Sequence, residues 1–402
     1  MRIAMLSEHA NPLAVLDEGG QSLHVAGLSS ALVRAGHEVT VYTRRDDPTQ
    51  STNCGTRQGY RVVHVPAGPA KPLPKDDLLP HMGEFTRFVE QEWRRFPPDV
   101  VHSHFWMSGI AAVLAGNRHG IPIVHTYHGL GTVKRRHQGR ADTSPPERIG
   151  IERKIGRAAT RIIATSADEL SELARAGVPR DCVCVVPCGV DCGRFRPEGP
   201  VVRKRLPRRV VSVGRLAPDE GFADLIAALR GAPDTELVVI GGPHRDELAA
   251  APEANRLREL AERLKVADRL RVTGRVPHDR MPALLRSADL VACVPWYGSV
   301  GTVLLEAMAC GVPVLAARVG GLADIVVEDV TGVLVPPKQP GTLRMAMAAL
   351  MADPVRRSFL GAAGRDRAEQ RYSWQRIADE SALLYERCVD QVRAPLAESA
   401  MR

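Results

Sequence analysis

Along most of the chain, short runs of Val, Ile and Leu alternate with longer stretches whose apolar positions recur every three or four residues. The first pattern is that of buried strands, the second that of amphipathic helices. Alternating from end to end, they predict parallel sheets assembled from strand–helix–strand units. In the first half, strands are expected at residues 2–7, 38–43, 61–66, 99–104, 122–127, 161–165 and 182–187, with helices at 21–34, 77–95 and 167–175 among the segments between them. The polar stretch 44–59 reads as a surface loop. In the second half, strands are expected at 210–213, 236–240, 270–273, 290–294, 312–316 and 332–335, with helices such as 222–229, 253–264 and 303–308. Three C-terminal helical segments follow, the last starting near Trp374.

Residues 195–209 interrupt this alternation with three prolines and a basic run of Arg203, Lys204, Arg205, Arg208 and Arg209. The stretch reads as an interdomain linker carrying a solvated charge run, with a basic wall beside an anion as the alternative. The chain is therefore expected to be α/β, with two Rossmann-like domains in tandem. A chain of 402 residues has room for two such cores at roughly 100–200 residues each. Ligands of such sheets bind beyond the carboxyl ends of the strands, and two domains facing each other make the cleft between them the default site.

Composition narrows the function classes. With 44% hydrophobic and 25% charged residues, the chain is neither fibrous nor disordered. No apolar run approaches a membrane span, and the N-terminus reads as a strand rather than a signal peptide. Of the 54 basic residues only seven are Lys, and the net charge is +8. Coding bias explains such a skew, and so does an anionic ligand, because Arg matches phosphate geometry. Aromatics at 4% and the lack of a nucleic-acid motif argue against nucleic acid. Eight cysteines in a chain of this size, without a secretory signal, do not predict a disulfide framework. Cys182, Cys184, Cys188 and Cys192 cluster without the paired spacing of a zinc site, and read as buried or incidental thiols.

Several segments carry candidate chemistry. Gly19 and Gly20 follow the first strand and precede a helix, a place where backbone can approach a ligand and N–H groups face an anion. No dinucleotide fingerprint stands there or at 213–221, which counts against nicotinamide or flavin. Two strand ends carry histidine pairs: His102 with His104, and His125 with His128. A metal reading needs a further partner that the sequence does not locate. His102 and His104 are expected to be structural, and His128 to contact ligand. Arg215 closes the first strand of the second half, where it could clamp a phosphate. Gly301, Thr302 and Val303 open a helix and form a second anion cradle. Glu306, one turn in and flanked by Leu304, Leu305, Ala307 and Met308, is a part-buried charge that needs a partner, for which a sugar or ribose diol would serve.

These segments together resemble the family 4 retaining glycosyltransferases of GT-B fold. The resemblance rests on the glycine turn near residue 20, residues 125–137, Ala164-Thr165-Ser166, residues 186–191, Gly214-Arg215-Leu216, Gly274-Arg275-Val276 and residues 305–311, and it covers nearly the whole chain. The nearest branch is the bacterial one that includes sucrose-phosphate-synthase-like and glycosyl-inositol-phosphate-forming enzymes. It implies an acceptor-binding domain at residues 1–200, a nucleotide-sugar-binding domain at 201–372 and a helix at 373–402 packing back on the first. It implies transfer from a UDP- or GDP-sugar to a small-molecule or glycan acceptor with retention of configuration. The resemblance further implies that no metal or cofactor takes part, and the expected location is cytoplasmic, with a peripheral position at the inner membrane face as the alternative. Arg215 matches the family's diphosphate Arg, Glu306 the ribose glutamate, Arg275 and Val276 the base-binding edge, Gly19 and Gly20 the phosphate turn, and His128 the residue by the sugar. Lys75 and Arg148 fall near an acceptor phosphate in some relatives.

Two departures stand out. Glu220 occupies the place of the family's phosphate Lys, and Gly298 that of its sugar-contacting glutamate. Preserved transfer and a catalytically impaired homologue that binds a nucleotide sugar or a partner protein are therefore both open.

Overall fold

The computed structural model describes residues 1–13, 20–298 and 300–400, and side chains to 393. The chain forms two compact units, residues 1–188 with 374–402, and residues 189–373. The chain passes between them at 188/189 and 373/374, so the proline-rich stretch 195–209 expected as a linker falls inside the second unit. Its last two residues open that unit's first strand instead.

The first unit holds strands β1 (Arg2–Leu6), β2 (Glu38–Arg44), β3 (Asn53–Gly55), β4 (Arg61–Val65), β5 (Val100–His104), β6 (Ile123–Thr126), β7 (Arg161–Ala164) and β8 (Val183–Val185). They form one sheet in the order β3-β4-β2-β1-β5-β6-β7-β8, parallel except for β3. β3 lies within the stretch expected as loop; it is three residues long and pairs antiparallel with β4 as an edge. Side chains alternate across the sheet with the two-residue period of a strand. Ala4 and Leu6 join Phe85, Trp93 and Trp106 on one face, while Ile3 and Met5 join Leu28, Leu32, Ile377 and Tyr385 on the other. Both faces are covered, which is why these strands read as continuous apolar runs. The helix Ala167–Arg175 begins with a reciprocal cap: Ser166 Oγ accepts from the Glu169 N–H at 3.1 Å, and Glu169 accepts from the Thr165 N–H at 2.7 Å.

The C-terminal helix Trp374–Ala400 packs against the helix Gly20–Arg34 within this unit. Gly27 makes the approach possible, since a Cβ there would lie 2.3 Å from the Trp374 ring. Overpacking of this kind costs ~1–3 kcal/mol. Gly27→Ala should therefore lower the melting temperature and speed proteolysis of the C-terminal helix. An unchanged melt and digest would refute the contact.

The second unit holds β9 (Arg208–Val213), β10 (Thr235–Ile240), β11 (Leu270–Val272), β12 (Leu290–Cys293), β13 (Val314–Ala317) and β14 (Gly332–Val335), all parallel in the order β11-β10-β9-β12-β13-β14. The helices Phe222–Ala228 and Pro340–Ala352 pack on each other over one face, burying Leu225, Leu343 and Met347. The central six strands of the first sheet and all six of the second share the doubly wound order 3-2-1-4-5-6. In each sheet the order reverses at one place, between β1 and β5 and between β9 and β12. The crevice beyond the strand ends at that reversal is where such folds bind ligands.

Candidate active site

At the first reversal the chain leaves β1 through Ser7, Glu8 and His9, and leaves β5 through Phe105 into the helix Trp106–His119. Glu8 is buried and accepts hydrogen bonds from the Ser108 N–H at 3.1 Å, the Ser108 hydroxyl and His9 Nδ1 at 2.7 Å. Burial pushes its carboxyl up, but His9, Ser108 and Lys75 outweigh this and hold it below the ordinary carboxylate range. His9 stands edge-on to Phe105 at 4.9 Å. Lys75 lays its ammonium over the same ring, 3.4 Å from the centroid. The Lys75 residue as a whole is exposed, yet its ammonium is enclosed, and this pushes its pKa down to about 8 against the pull of Glu8.

Arg148 is 5% exposed, and its guanidinium lies 5.2 Å from the Phe105 centroid. Nε donates to Glu152 at 2.8 Å, one terminal nitrogen to Ser144 Oγ at 3.2 Å and the other to the Gly129 carbonyl at 2.7 Å. Three of the five guanidinium N–H groups are spent on this anchoring, and two are left. Glu152 also accepts from the Gly131 N–H at 2.9 Å. Lys75 and Arg148, for which the resemblance implies a place near an acceptor phosphate, are brought together around one aromatic ring. Glu8, His9, Phe105 and Ser108 were missed. The signal that could have found Glu8 and His9 is their position just past the first strand.

His102 and His104, both expected to be structural, are both fully buried. His102 is fully partnered, Nδ1 to Tyr385 at 2.7 Å and Nε2 to Thr126 at 2.9 Å, and is structural. His104 has Nδ1 against His128 Nε2 at 2.9 Å, while its buried Nε2 has no hydrogen-bond partner. His128 follows β6 in left-handed backbone, φ 54°, which is uncommon for a residue with a Cβ and typical of functional positions. Burial pushes both imidazoles well below their ordinary range. His24, one turn into the helix Gly20–Arg34, packs its ring against both. Gly19 lies outside the described residues. Gly20 is the exposed first residue of that helix, and the neighbouring Gln21 amide donates to Ser7 Oγ at 3.3 Å and the His104 carbonyl at 3.4 Å.

At the second reversal, Gly214 and Arg215 leave β9. Arg215 Nε donates to Glu220 at 3.0 Å, and a terminal nitrogen donates to Asp219 at 3.1 Å. The residue expected to clamp a phosphate thus already carries two carboxylates, and the trio has net charge −1. Burial pushes the Glu220 carboxyl up from its ordinary value, against the pull of Arg215. Gly221 fixes the turn: its φ is +74°, and a Cβ would lie 2.1 Å from the Val294 carbonyl. Gly298 has φ +27° with nothing within 4 Å of a Cβ. Gly301, at φ +77°, precedes the helix Thr302–Ala309, whose N-terminal Thr302 and Val303 are half-buried.

Glu306 is buried, but its partner is His278, with Nε2 at 2.7 Å from the carboxylate. The partner that a buried charge is expected to need is thus supplied within the chain, by a side chain 28 residues earlier. Arg275 and Val276 follow β11, and the Arg275 N–H donates to the Pro243 carbonyl at 3.0 Å.

The two doubly wound sheets have the architecture of the GT-B class. Residues 18–194 match the model described as Glycosyltransferase Family 4, and residues 201–367 that of Glycosyl transferases group 1. The D-inositol 3-phosphate glycosyltransferase of Xylanimonas cellulosilytica is 38% identical over 94% of each chain. The D-inositol 3-phosphate glycosyltransferase 2 of Catenulispora acidiphila is 36% identical over 98% of this chain and 96% of its own. The sucrose-phosphate synthase of Thermosynechococcus elongatus superposes with TM-score 0.87 and 28% identity, covering 96% of this chain and 98% of its own. The chain belongs to glycosyltransferase family 4. Anabaena HepE, solved with UDP and glucose, shares the fold at TM-score 0.72 and 19% identity over 96% of this chain and 99% of its own. Among the described residues, no helix is long and apolar enough to cross a membrane.

Proposed function

We propose that this protein transfers a sugar from a UDP-linked donor to a hydroxyl of a phosphorylated cyclitol, with retention of configuration. The observation that carries the acceptor is the pairing of Lys75 and Arg148 around Phe105. Two unspent guanidinium N–H groups and an ammonium are offered there, with Glu8 and Glu152 beside them, in a chain similar over its length to inositol-phosphate glycosyltransferases. A phosphate monoester suits it, because Arg offers a planar fork and Lys a point charge. Family membership supports the donor half. The leaving diphosphate would draw on Arg215 and on the dipole at the start of Thr302–Ala309, and His128 would stand by the sugar.

Lys75→Ala removes one charged hydrogen bond, worth ~1.5–3 kcal/mol. The acceptor KM for an inositol phosphate should rise by ~10–100-fold, with the donor KM unchanged. Equal loss with free inositol, or a matching change in donor KM, would sink the assignment. A second reading, donor binding without turnover, is favoured by the two carboxylates on Arg215. Calorimetric titration with UDP-sugars beside a product assay separates the two readings.

A further inference from the structure

We propose that His24, His104 and His128 form a binding site for one divalent transition-metal ion of the zinc class. All three belong to the first unit. One ring nitrogen from each lies within 4.8 Å of the other two. The ring centroids are 5.5, 5.0 and 5.2 Å apart in the three pairings, so the rings surround a common point. The donors come from three different elements: the first turn of the helix Gly20–Arg34, the last residue of β5, and the left-handed residue after β6.

Four features distinguish this trio from a chance meeting of buried rings. The donor set is all imidazole, which suits Zn²⁺, Co²⁺ or Ni²⁺ and disfavours Mg²⁺ or Ca²⁺. His104 is fully buried and turns its Nδ1 to within 2.9 Å of His128 Nε2, so two of the three rings already face each other through a nitrogen. His24 is oriented from outside: Cys188 Sγ sits 3.2 Å from its Nδ1, which leaves Nε2 for an ion, and Trp374 packs edge-on at 5.5 Å. His102 stacks on His104 at 4.1 Å and is itself locked by Tyr385 and Thr126. Such outer groups hold ligand rings in place at metal sites.

A tetrahedral site with Zn–N distances of ~2.0–2.1 Å separates its nitrogens by about 3.3 Å. Three histidines leave a fourth position for water or an anion. His24 completes the set; without it, the histidine pairs at the strand ends lack the third partner a metal needs.

The family resemblance implies transfer without a metal, so an ion here would not serve that chemistry. On the reading of the previous subsection it would engage His128 and slow transfer, a consequence that rests on that reading. Metal binding itself does not.

The test uses the full chain, stripped with a chelator and titrated with Zn²⁺ by calorimetry and with Co²⁺ by visible absorption. The expected result is one ion per chain, with the strong absorption of four-coordinate Co²⁺. His24→Phe and His104→Gln should each weaken binding ~100-fold or more, because loss of outer groups alone costs ~10–100-fold. Cys54→Ser, far from the trio, should bind as the native chain does. Circular dichroism checks that each variant is folded. No stoichiometric uptake by the native chain, or a weak six-coordinate Co²⁺ spectrum, overturns the proposal whether or not a variant folds. So does equal affinity in the native chain and either folded variant.

Discussion

Glu220→Lys raises kcat/KM for the nucleotide-sugar donor by ~30-fold. The exchange turns the group around Arg215 from net −1 to net +1 and releases one of the two carboxylates the guanidinium now holds. A unit charge ~4 Å from a leaving diphosphate is worth ~4 kcal/mol at an effective dielectric of ~20. The Arg215 side chain is 68% exposed, so solvent screening cuts this substantially. About 2 kcal/mol remains for a two-unit change, which gives the ~30-fold. The native protein should show the same effect through pH. Burial raises the Glu220 carboxyl above its ordinary value, so as pH falls through that raised pKa the carboxylate takes up a proton and one repelling charge disappears. Donor affinity should rise as the pH falls, and Glu220→Gln should be flat in pH with higher affinity at neutrality. The fold follows the same sign: a carboxyl raised in the folded state makes the protein more stable below that pKa and less stable above it. Restoring glutamate at 298 is a poorer experiment. A side chain has space there, but φ +27° strains any residue with a Cβ. Unchanged donor affinity and turnover in Glu220→Lys would show that the diphosphate does not approach Arg215.

What the sequence made legible follows from burial. Strands such as Val100–His104 and Leu290–Cys293 are covered on both faces, so their apolar runs announce them and their order along the chain announces two doubly wound sheets. β3 gave no signal because a three-residue edge strand buries almost nothing. Positions set by local motif, such as Arg215 just past β9 and the glycines before Thr302, were readable. Those set by tertiary pairing were not. Glu8 owes its role to Ser108, 100 residues away; Glu306 owes its partner to His278; and His24 meets His104 and His128 only once its helix lies against the strand ends. Arg209 misled in the opposite sense, since a charge in a basic run reads as solvated. Its place as the second residue of β9 puts it on the covered face of a parallel strand instead.

That buried arginine makes Glu236→Ala the most destabilising single change foreseen in the second unit. Arg209 has no exposed surface. Its Nε donates to Glu236 at 2.8 Å, and its terminal nitrogens donate to Ser287 Oγ at 2.6 Å, the Val202 carbonyl at 3.2 Å and the Arg203 carbonyl at 2.7 Å. Glu236 also receives the Arg205 N–H at 3.0 Å, so one carboxylate on β10 fastens both the start of β9 and the segment leading into it. Removing it strands a cation where water cannot reach, a loss of ~3–5 kcal/mol. For a unit of this size that lowers the melting temperature by about 10 °C or more. Arg209→Met with Glu236→Leu removes both charges and keeps apolar bulk, and should recover most of the loss, because an intact buried pair contributes little net stability over apolar packing. A thermal melt of the three proteins decides it. If Glu236→Ala melts within a degree or two of the native chain, Arg209 is reached by water, and the basic stretch at 203–209 is a solvated surface after all.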